Sequence, residues 1–234
     1  MIRLAGVTKS YGRGRIVALD DVFLDLPANA FAVITGPSGS GKTTLLNVIA
    51  GLARPDRGAV TILDRDLRAM SERELTGLRG RGIGFIFQFP SLLPELSLLD
   101  NVRLQLRLAG RPDDPAACAA LLAAAGLGDR LDARAQELSA GQQRRAAAAR
   151  ALVHRPRLIL ADEPTGDLDP DSAAAIAGLL QTAHSDGATV IMTTHDLGLR
   201  RLATHCFTLA AGGLAASGLA ASGLSAGRLD SAKM

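Results

Sequence analysis

The sequence predicts an α/β fold with a mainly parallel sheet and a helical lobe inserted between two of its strands. Three observations lead to this prediction. Short apolar runs of strand length recur along the chain, and helical patterns separate several of them. An Ala-rich stretch, almost wholly helical from residue 97, marks a lobe at about residues 90–155. Alternating strands and helices are typical of a sheet whose parallel strands are joined by helices.

The predicted strands are recognised by their length and composition. Most are apolar throughout, as expected for strands that are covered on both faces. They cover residues 31–35, 60–63, 84–87, 158–161 and 189–193.

Two predicted helices carry capping signals at their first residues. Ser71 and Glu74 form a capping box ahead of an apolar pattern. Asp169 and Pro170 place a capping side chain and a first-turn proline at the start of a helix that reaches about Ala183. The helical lobe is interrupted only at residues 110–115, which are rich in Gly, Pro and Asp.

The C-terminal residues are of low complexity. GLAAS occurs at 213–217 and again at 218–222, and GLSAG follows at 223–227. A five-residue repeat matches neither the helical nor the strand period. We therefore expect one domain over residues 1–214 and a flexible tail over 215–234. The alternative is that the tail is a short interaction segment.

Composition excludes several classes of function. The chain has 47% hydrophobic residues, which excludes a mostly disordered protein. Aromatic residues make up 3% and the net charge is only +3, so a nucleic-acid partner is not expected. The two cysteines lack metal-ligand spacing and are expected to be reduced and buried. The N-terminus shows no signal peptide, and the uncharged stretch between Arg201 and Arg228 is too rich in Ala, Gly and Ser to predict a transmembrane helix.

A glycine-rich loop follows the first predicted core strand. Its pattern, G-x-x-x-x-G-K-T, is followed by the helical run that Thr44 begins. Glycines let backbone N–H groups surround a phosphate, and the helix presents its positive end to the same anion. Lys42 would reach the β- and γ-phosphates of a nucleotide, and the Thr43 hydroxyl can ligate Mg²⁺. The residues of this phosphate loop are Gly36, Pro37, Ser38, Gly39, Ser40, Gly41, Lys42 and Thr43.

Two carboxylates end the predicted strand 158–161. An apolar strand that ends in Asp162 and Glu163 is costly unless the acids face a cation or water. Beside a phosphate loop that cation would be Mg²⁺, held by Asp162. Glu163, expected to point the other way along the pleat, could polarise a water for in-line attack on the γ-phosphate.

A second helix start lies far along the chain from the phosphate loop. Ser139 is a natural capping residue for the helix that follows it. It either caps that helix and nothing more, or the helix start forms a second anion site. Two phosphate-binding elements in one chain can share a nucleotide only if separate copies face each other.

These motifs, in this order, resemble the nucleotide-binding subunits of ATP-binding-cassette (ABC) transporters over residues 2–214. GPSGSGKT (36–43) resembles the family's phosphate loop, LSAGQ (138–142) its signature segment and LILADE (158–163) its metal-and-base strand. Gln88 resembles the glutamine of the glutamine loop, residues 166–169 the D-loop, and His195 the switch histidine. Tyr11 resembles the aromatic residue that stacks on adenine.

The resemblance implies an ATPase that binds ATP and Mg²⁺ and has an N-terminal antiparallel β region. It implies a head-to-tail homodimer in which the signature segment of one chain (Ser139, Gly141 and Gln142) closes over the ATP held by the other. Glu163 would be the general base, and His195 would hold the γ-phosphate and the attacking water. Gln88 would help to order Mg²⁺ and signal to a separate transmembrane permease subunit. The chain would lie on the cytoplasmic side of a bacterial inner membrane.

Within this family, residues 88–102 and 164–169 resemble the branch for lipoprotein release and macrolide export. The alternatives are uptake of a small solute such as an amino acid, and a regulatory clamp that hydrolyses ATP slowly. Ala140 and Asp167, which depart from the family pattern, are the only support for the clamp. A soluble ATPase for DNA repair or translation is disfavoured because this chain has one cassette and no heptad repeats.

Overall fold

The structure contains two sheets and six α-helices within the part of the chain it describes. The computed structural model describes residues 2–217. Its strands are β1 (Ile2–Tyr11), β2 (Ile16–Leu26), β3 (Phe31–Thr35), β4 (Arg57–Ile62), β5 (Arg65–Asp66), β6 (Ile83–Ile86), β7 (Leu158–Asp162), β8 (Thr189–Thr194), β9 (His205–Ala210) and β10 (Gly213–Ala216). Its α-helices are α1 (Lys42–Ile49), α2 (Glu72–Gly82), α3 (Leu98–Leu108), α4 (Pro115–Ala124), α5 (Ala140–Leu152) and α6 (Pro170–Ser185).

The six-stranded sheet confirms the predicted parallel core. Its strand order is β10-β9-β3-β8-β7-β6, and every pair is parallel except β9 with β10. β3, β7 and β8 are buried along their whole length, which accounts for their apolar sequences. The predicted strand boundaries differ from the observed ones by one residue at most for β3, β6, β7 and β8.

The four-stranded sheet, with the order β2-β1-β4-β5, is antiparallel. Residues 60–62 of the predicted strand 60–63 lie in β4 of this sheet, so this strand does not belong to the parallel core. The sequence patterns did not predict β1 and β2, although the family resemblance implied an antiparallel region. Register shifts between β1 and β2 interrupt the strict alternation that identifies a half-buried strand.

Two hydrophobic cores cover the two faces of the six-stranded sheet. Alternate side chains of β3 divide between them, with Phe31 and Val33 on one face and Ala32 and Ile34 on the other. The first face packs against the helices α3 to α6. The second face packs against α1 and the antiparallel sheet. The parallel sheet is therefore the middle layer of the fold, and loops at its carboxyl edge lie between two rigid layers.

The predicted capping signals are confirmed. Ser71 and Glu74 form the capping box of α2, and the Asp169 side chain accepts a hydrogen bond from the backbone N–H of Ser172 at the start of α6. This hydrogen bond lowers the pKa of Asp169 below its usual value.

The prediction that residues 97–155 are almost wholly helical is wrong for residues 125–139. Helix α4 ends at Ala124, and Gly126, just beyond the C-cap residue Ala125, has a left-handed backbone with φ 70°. The N–H of Leu127 bonds to the carbonyl of Leu122, and that of Gly126 to Ala123, which closes the helix in a Schellman motif. Leu127 then inserts into the core, fully buried. Residues 128–139 contain turns, one short 3₁₀ helix, Ala135–Glu137, and an isolated bridge between Arg134 and Ser97.

The C-terminal strand β10 includes most of the first GLAAS copy and extends to Ala216, beyond the predicted boundary at residue 214. It pairs with β9, and the N–H of Ser217 bonds to the carbonyl of Cys206. The rest of the predicted tail, residues 218–234, lies outside the described residues. Cys206 and Cys118 are both free and buried, as predicted.

Candidate nucleotide site

The topology brings four predicted site segments to one edge of the parallel sheet. The neighbouring strands β3, β8, β7 and β6 run in the same direction, so their carboxyl ends lie side by side. The phosphate loop leaves β3, and His195 follows β8. Asp162 ends β7, Glu163 follows it, and Gln88 follows β6. Ligands of open α/β sheets bind at this edge.

The phosphate loop is wrapped around the ammonium group of Lys42. Lys42 is 7% exposed, and its Nζ donates to the carbonyls of Gly36 at 2.8 Å and Pro37 at 3.0 Å. A buried ammonium whose hydrogen-bond acceptors are backbone carbonyls is suited to an anion, because a phosphate oxygen offers a stronger, charge-assisted hydrogen bond.

Two positions of the phosphate loop require glycine, because backbone carbonyls of other strands lie where a Cβ atom would be. A Cβ atom on Gly36 would lie 2.2 Å from the carbonyl oxygen of Leu209, and one on Gly41 would lie 2.1 Å from that of Ala18. Gly41 also has φ 105°, a conformation that L-residues rarely adopt. These contacts fix the loop against the neighbouring strands β9 and β2.

We expect Gly41→Ala to destabilise the fold more than Gly187→Ala does. Gly187 has a similar φ of 98°, but nothing lies within 4 Å of its Cβ position. The left-handed backbone alone costs about 1–2 kcal/mol in either variant. The clash with Ala18 adds about 1–3 kcal/mol in Gly41→Ala only. Urea unfolding measures both losses. Equal losses would mean that the Ala18 carbonyl yields to the new methyl group.

Helix α1 differs from the other five α-helices at its N-terminus. Side chains of Ser71, Ser97, Asp114, Ser139 and Asp169 accept hydrogen bonds from the first turns of α2 to α6. Gly41 precedes α1 and provides no such bond. The buried hydroxyl of Ser40 also has no hydrogen-bond partner among the described residues. Free N–H groups, a free hydroxyl and a buried ammonium together fit a phosphate group.

The acid pair at the end of β7 occupies two different environments. Asp162 is 2% exposed, and its Oδ1 accepts a hydrogen bond of 2.7 Å from the hydroxyl of Thr193. Glu163 lies outside the strand with φ 48°, so the strand pleat does not set its direction as we had predicted. This left-handed conformation is strained for a residue with a side chain, and such strain is typical of functional sites.

Glu163 contacts two other predicted site residues, Lys42 and His195. Its Oε1 lies 3.3 Å from Nζ of Lys42, and its Oε2 lies 2.6 Å from Nδ1 of His195. The side chain of Glu163 is mostly buried, whereas that of His195 is mostly exposed. The structure thus joins residues from three strand ends that are far apart in the sequence. This is the geometry expected of a base that is held by two neighbours.

The donor set fits Mg²⁺. Mg²⁺ in proteins is usually held by one or two carboxylates together with substrate phosphates and water. Asp162 offers a buried carboxylate, and Thr43 offers an exposed hydroxyl in the first turn of α1. Gln88 offers an exposed amide beyond β6. These are the three predicted metal ligands.

Two residues that sequence reasoning missed hold the loop between Gln88 and α3. Asn101, 1% exposed, accepts from the N–H of Leu93, and its amide lies within hydrogen-bond distance of the carbonyls of Leu93, Leu96 and Ser97. Arg150 of α5 donates to the carbonyl of Ser91. The sequence carries no signal for this arrangement, because the partners are backbone groups; a buried side-chain amide such as that of Asn101 normally has such partners.

Tyr11, at the end of β1, is 43% exposed and available for stacking. Nζ of Lys9 lies 5.3 Å from the centre of its ring, within the range of a cation–π contact. Lys9 is held by Asp56 at 3.1 Å, and Asp56 also accepts from the hydroxyl and the N–H of Ser10. The hydrogen bonds from Ser10, with a smaller contribution from Lys9, lower the pKa of Asp56 to about 2.

The signature segment confirms the predicted cap of α5. The Ser139 hydroxyl accepts from the N–H of Gln142, and the Gln142 side chain accepts from the N–H of Ser139. Gly141 is buried, and a Cβ atom there would lie 2.8 Å from the hydroxyl of Ser172 and 3.2 Å from Asp169. The signature segment is therefore packed against the start of α6, with Ser139 exposed at the surface.

A groove of about 620 Å³ is lined by His195, by residues 166–168 of the D-loop and by one face of α6. Arg144 of α5 donates a hydrogen bond to the carbonyl of Gly166 in this D-loop. Through Arg144 the signature helix and the D-loop are joined within one chain.

The fold and this site define a nucleotide-binding domain of the ATP-binding-cassette type. The family model described as "ABC transporter" matches residues 19–166, which is more than half of the chain. The chain therefore belongs to the ABC transporter family. It is the ATP-binding subunit of such a transporter. No helix within residues 2–217 is long and apolar enough to cross a membrane.

Two named relatives illustrate the similarity. The lipoprotein-releasing system ATP-binding protein LolD of Anaeromyxobacter dehalogenans is 45% identical over 211 residues, which cover 88% of this chain and 87% of the relative. The macrolide export ATP-binding/permease protein MacB 1/2 of Paracoccus denitrificans is 41% identical over 216 residues. That match covers 91% of this chain but only 32% of the relative, so the chain spans about a third of that protein.

A solved structure shows the same fold. The ATP-binding cassette MJ0796, described as a dimer in a post-hydrolysis state bound to ADP and Pi, matches with a TM-score of 0.86 and 38% identity. The match covers 92% of this chain and 96% of that chain. The predicted fold class and family resemblance are both confirmed.

Proposed function

We propose that this chain hydrolyses ATP to drive export or release of a substrate, such as a lipoprotein, macrolide or peptide, through a separate membrane subunit. The observation that carries the proposal is the contact of Glu163 with both Lys42 and His195 at the edge of the parallel sheet. A carboxylate held beside the phosphate loop supports the role of Glu163 as the base.

In the proposed reaction, Glu163 accepts a proton from the attacking water. The water oxygen forms a bond to the γ-phosphorus while the bond to the bridging oxygen of ADP breaks, and phosphate and ADP leave. Lys42 offsets negative charge on the β- and γ-phosphates. His195, held by Glu163, is placed to donate to the γ-phosphate and to orient the water. Mg²⁺ held by Asp162, Thr43 and Gln88 would neutralise charge on the phosphate oxygens when bound.

The proposed active unit is a head-to-tail homodimer. Ser139 is exposed at the start of α5, and Gly141 and Gln142 follow it, so a second copy could present this signature segment to the phosphates held by the first. The MJ0796 cassette, which is similar over nearly its whole length, is a dimer. This supports the two-chain arrangement.

The proposed partner is a transmembrane permease subunit at the cytoplasmic face of a bacterial inner membrane. The named relatives LolD and MacB support the export or release branch over uptake. The exposed Phe87, Phe89 and Leu93 beside Gln88 would contact that partner, because large exposed apolar side chains mark interaction sites.

Affinity capture from membranes of the native host tests the partner. The Glu163→Gln chain, tagged and loaded with ATP, is expected to retain a permease with a large periplasmic domain. Capture of a polytopic permease together with a solute-binding protein would instead favour uptake. Recovery of no membrane protein, from a chain that binds ATP normally, would contradict the transport role.

We expect Tyr11→Ala to weaken ATP binding about tenfold, because stacking of a base on an aromatic ring contributes about 1–3 kcal/mol. Tyr11→Phe keeps the ring and should bind ATP like the parent chain. Isothermal titration calorimetry measures both affinities. If the two variants bind ATP equally well, Tyr11 does not stack on adenine and only packs beside Lys9.

A further inference from the structure

The hydroxyl of Thr193 lies between the two acids at the end of β7. Thr193 is fully buried on β8 and is the register partner of Asp162 across the parallel strand pair. Its Oγ1 lies 2.7 Å from Oδ1 of Asp162 and 3.1 Å from the backbone nitrogen of Glu163. One side chain thus contacts both the predicted metal ligand and the predicted base.

The direction of each hydrogen bond follows from the available protons. The backbone N–H of Glu163 can only donate, so the Thr193 oxygen accepts from it. The single hydroxyl proton then has two candidate acceptors, Asp162 at 2.7 Å and the carbonyl of Ala161 at 3.5 Å. The hydroxyl therefore donates to the charged and nearer oxygen of Asp162, because hydrogen bonds to ionised acceptors are shorter and stronger.

Thr193 provides hydrogen bonds that the buried carboxylate of Asp162 and the strained backbone of Glu163 both require. Asp162 is 2% exposed, and Thr193 is its only hydrogen-bond donor among the described residues. Glu163 has a left-handed backbone, and its N–H is held by the hydroxyl and the carbonyl of Thr193, both at 3.1 Å. Groups that bond to a metal ligand from behind fix its orientation, and their loss commonly costs 10–100-fold in metal affinity or activity.

We propose that Thr193 is a positioning residue that orients Asp162 toward Mg²⁺ and holds the backbone of Glu163 through one buried hydroxyl. The inference rests on the proposed function, because it concerns the metal ligand and the base of that same site. Thr193 is fully buried, so it acts through Asp162 and Glu163.

The test compares three substitutions of similar size. Thr193→Val removes the hydroxyl and keeps the shape, whereas Thr193→Ser keeps the hydroxyl. Thr189→Val is the matched control, because Thr189 is a buried threonine at the other end of β8 whose hydroxyl accepts from the N–H of Asn29. Thermal unfolding of all three variants shows whether the strand is intact. If Thr193→Val does not fold, Thr193→Ala replaces it.

Two measurements are made on each variant. The first is the Mg²⁺ concentration that gives half-maximal phosphate release. The second needs no turnover, since it is the dissociation constant of Mn²⁺ from the ATP complex, followed by electron paramagnetic resonance in a Glu163→Gln background. For Thr193→Val we expect both to rise about tenfold, with KM for ATP unchanged at saturating Mg²⁺. Thr193→Ser and Thr189→Val should match the parent chain.

The inference is overturned if Thr193→Val binds Mn²⁺ and responds to Mg²⁺ like Thr193→Ser, or if Thr189→Val shows the same loss. Failure of the proposed function has a different signature. In that case the parent chain itself would show no Mg²⁺-dependent release of phosphate from ATP, whatever residue stands at position 193.

Discussion

Glu163→Gln is expected to lower the rate of ATP hydrolysis about 100-fold or more while leaving ATP affinity almost unchanged. A positioned general base contributes about 10²–10⁴-fold, and an amide cannot accept the proton of the attacking water. Glutamine keeps the size of the side chain, and its oxygen can still accept from Lys42. Phosphate release at saturating MgATP measures the loss, and calorimetry measures the affinity.

Glu72→Gln is the control for this substitution. Glu72 is an exposed glutamate on α2 that pairs with Arg54 at the surface, so its loss of charge should not change turnover. A normal rate in Glu163→Gln would show that another group accepts the proton. Size-exclusion chromatography with ATP adds a second readout, since slow hydrolysis should prolong the lifetime of the proposed dimer.

Lys42→Ala is expected to weaken ATP binding about 10–100-fold. The ammonium group is buried within the phosphate loop, and a hydrogen bond to a charged group contributes about 1.5–3 kcal/mol. The substitution also removes the cation beside Oε1 of Glu163. Binding and turnover therefore both fall, unlike in Glu163→Gln, where only turnover falls.

Two further variants make the Lys42 experiment specific. Lys42→Arg keeps the charge but replaces a compact ammonium by a larger planar group, so it should not restore binding. Arg54→Ala removes an exposed positive charge and should leave ATP affinity unchanged. Unaltered ATP affinity in Lys42→Ala would contradict the assignment of residues 36–43 as the phosphate site.

The sequence predicted the parallel core and the phosphate loop because each is encoded locally. The strands β3, β7 and β8 are buried on both faces and so are apolar runs, and the phosphate loop requires glycine at Gly36 and Gly41 for steric reasons. The acids at the end of β7 could also be recognised from the sequence as candidate site residues, because charge at the end of an apolar strand is unusual.

Other features depend on contacts between distant residues and could not be predicted. Thr193 looks like any strand threonine until the register places it opposite Asp162. Asn101 and Arg150 act on backbone carbonyls of the loop before α3, which leave no signature in the sequence. Strand alternation does not set the direction of Glu163, because its backbone leaves the strand with a left-handed conformation. Its N–H is held instead by Thr193.

The uncapped start of helix α1 has a thermodynamic consequence. A ligand that binds only the folded chain stabilises it by RT ln(1 + [L]/Kd), which is about 2.7 kcal/mol at one hundred times Kd. Five helices carry their own caps, whereas the first turn of α1 is left for a phosphate. If ATP binds at the proposed site, it would supply part of the folding free energy of this subunit, and we expect resistance to heat and proteolysis to rise with the ATP concentration.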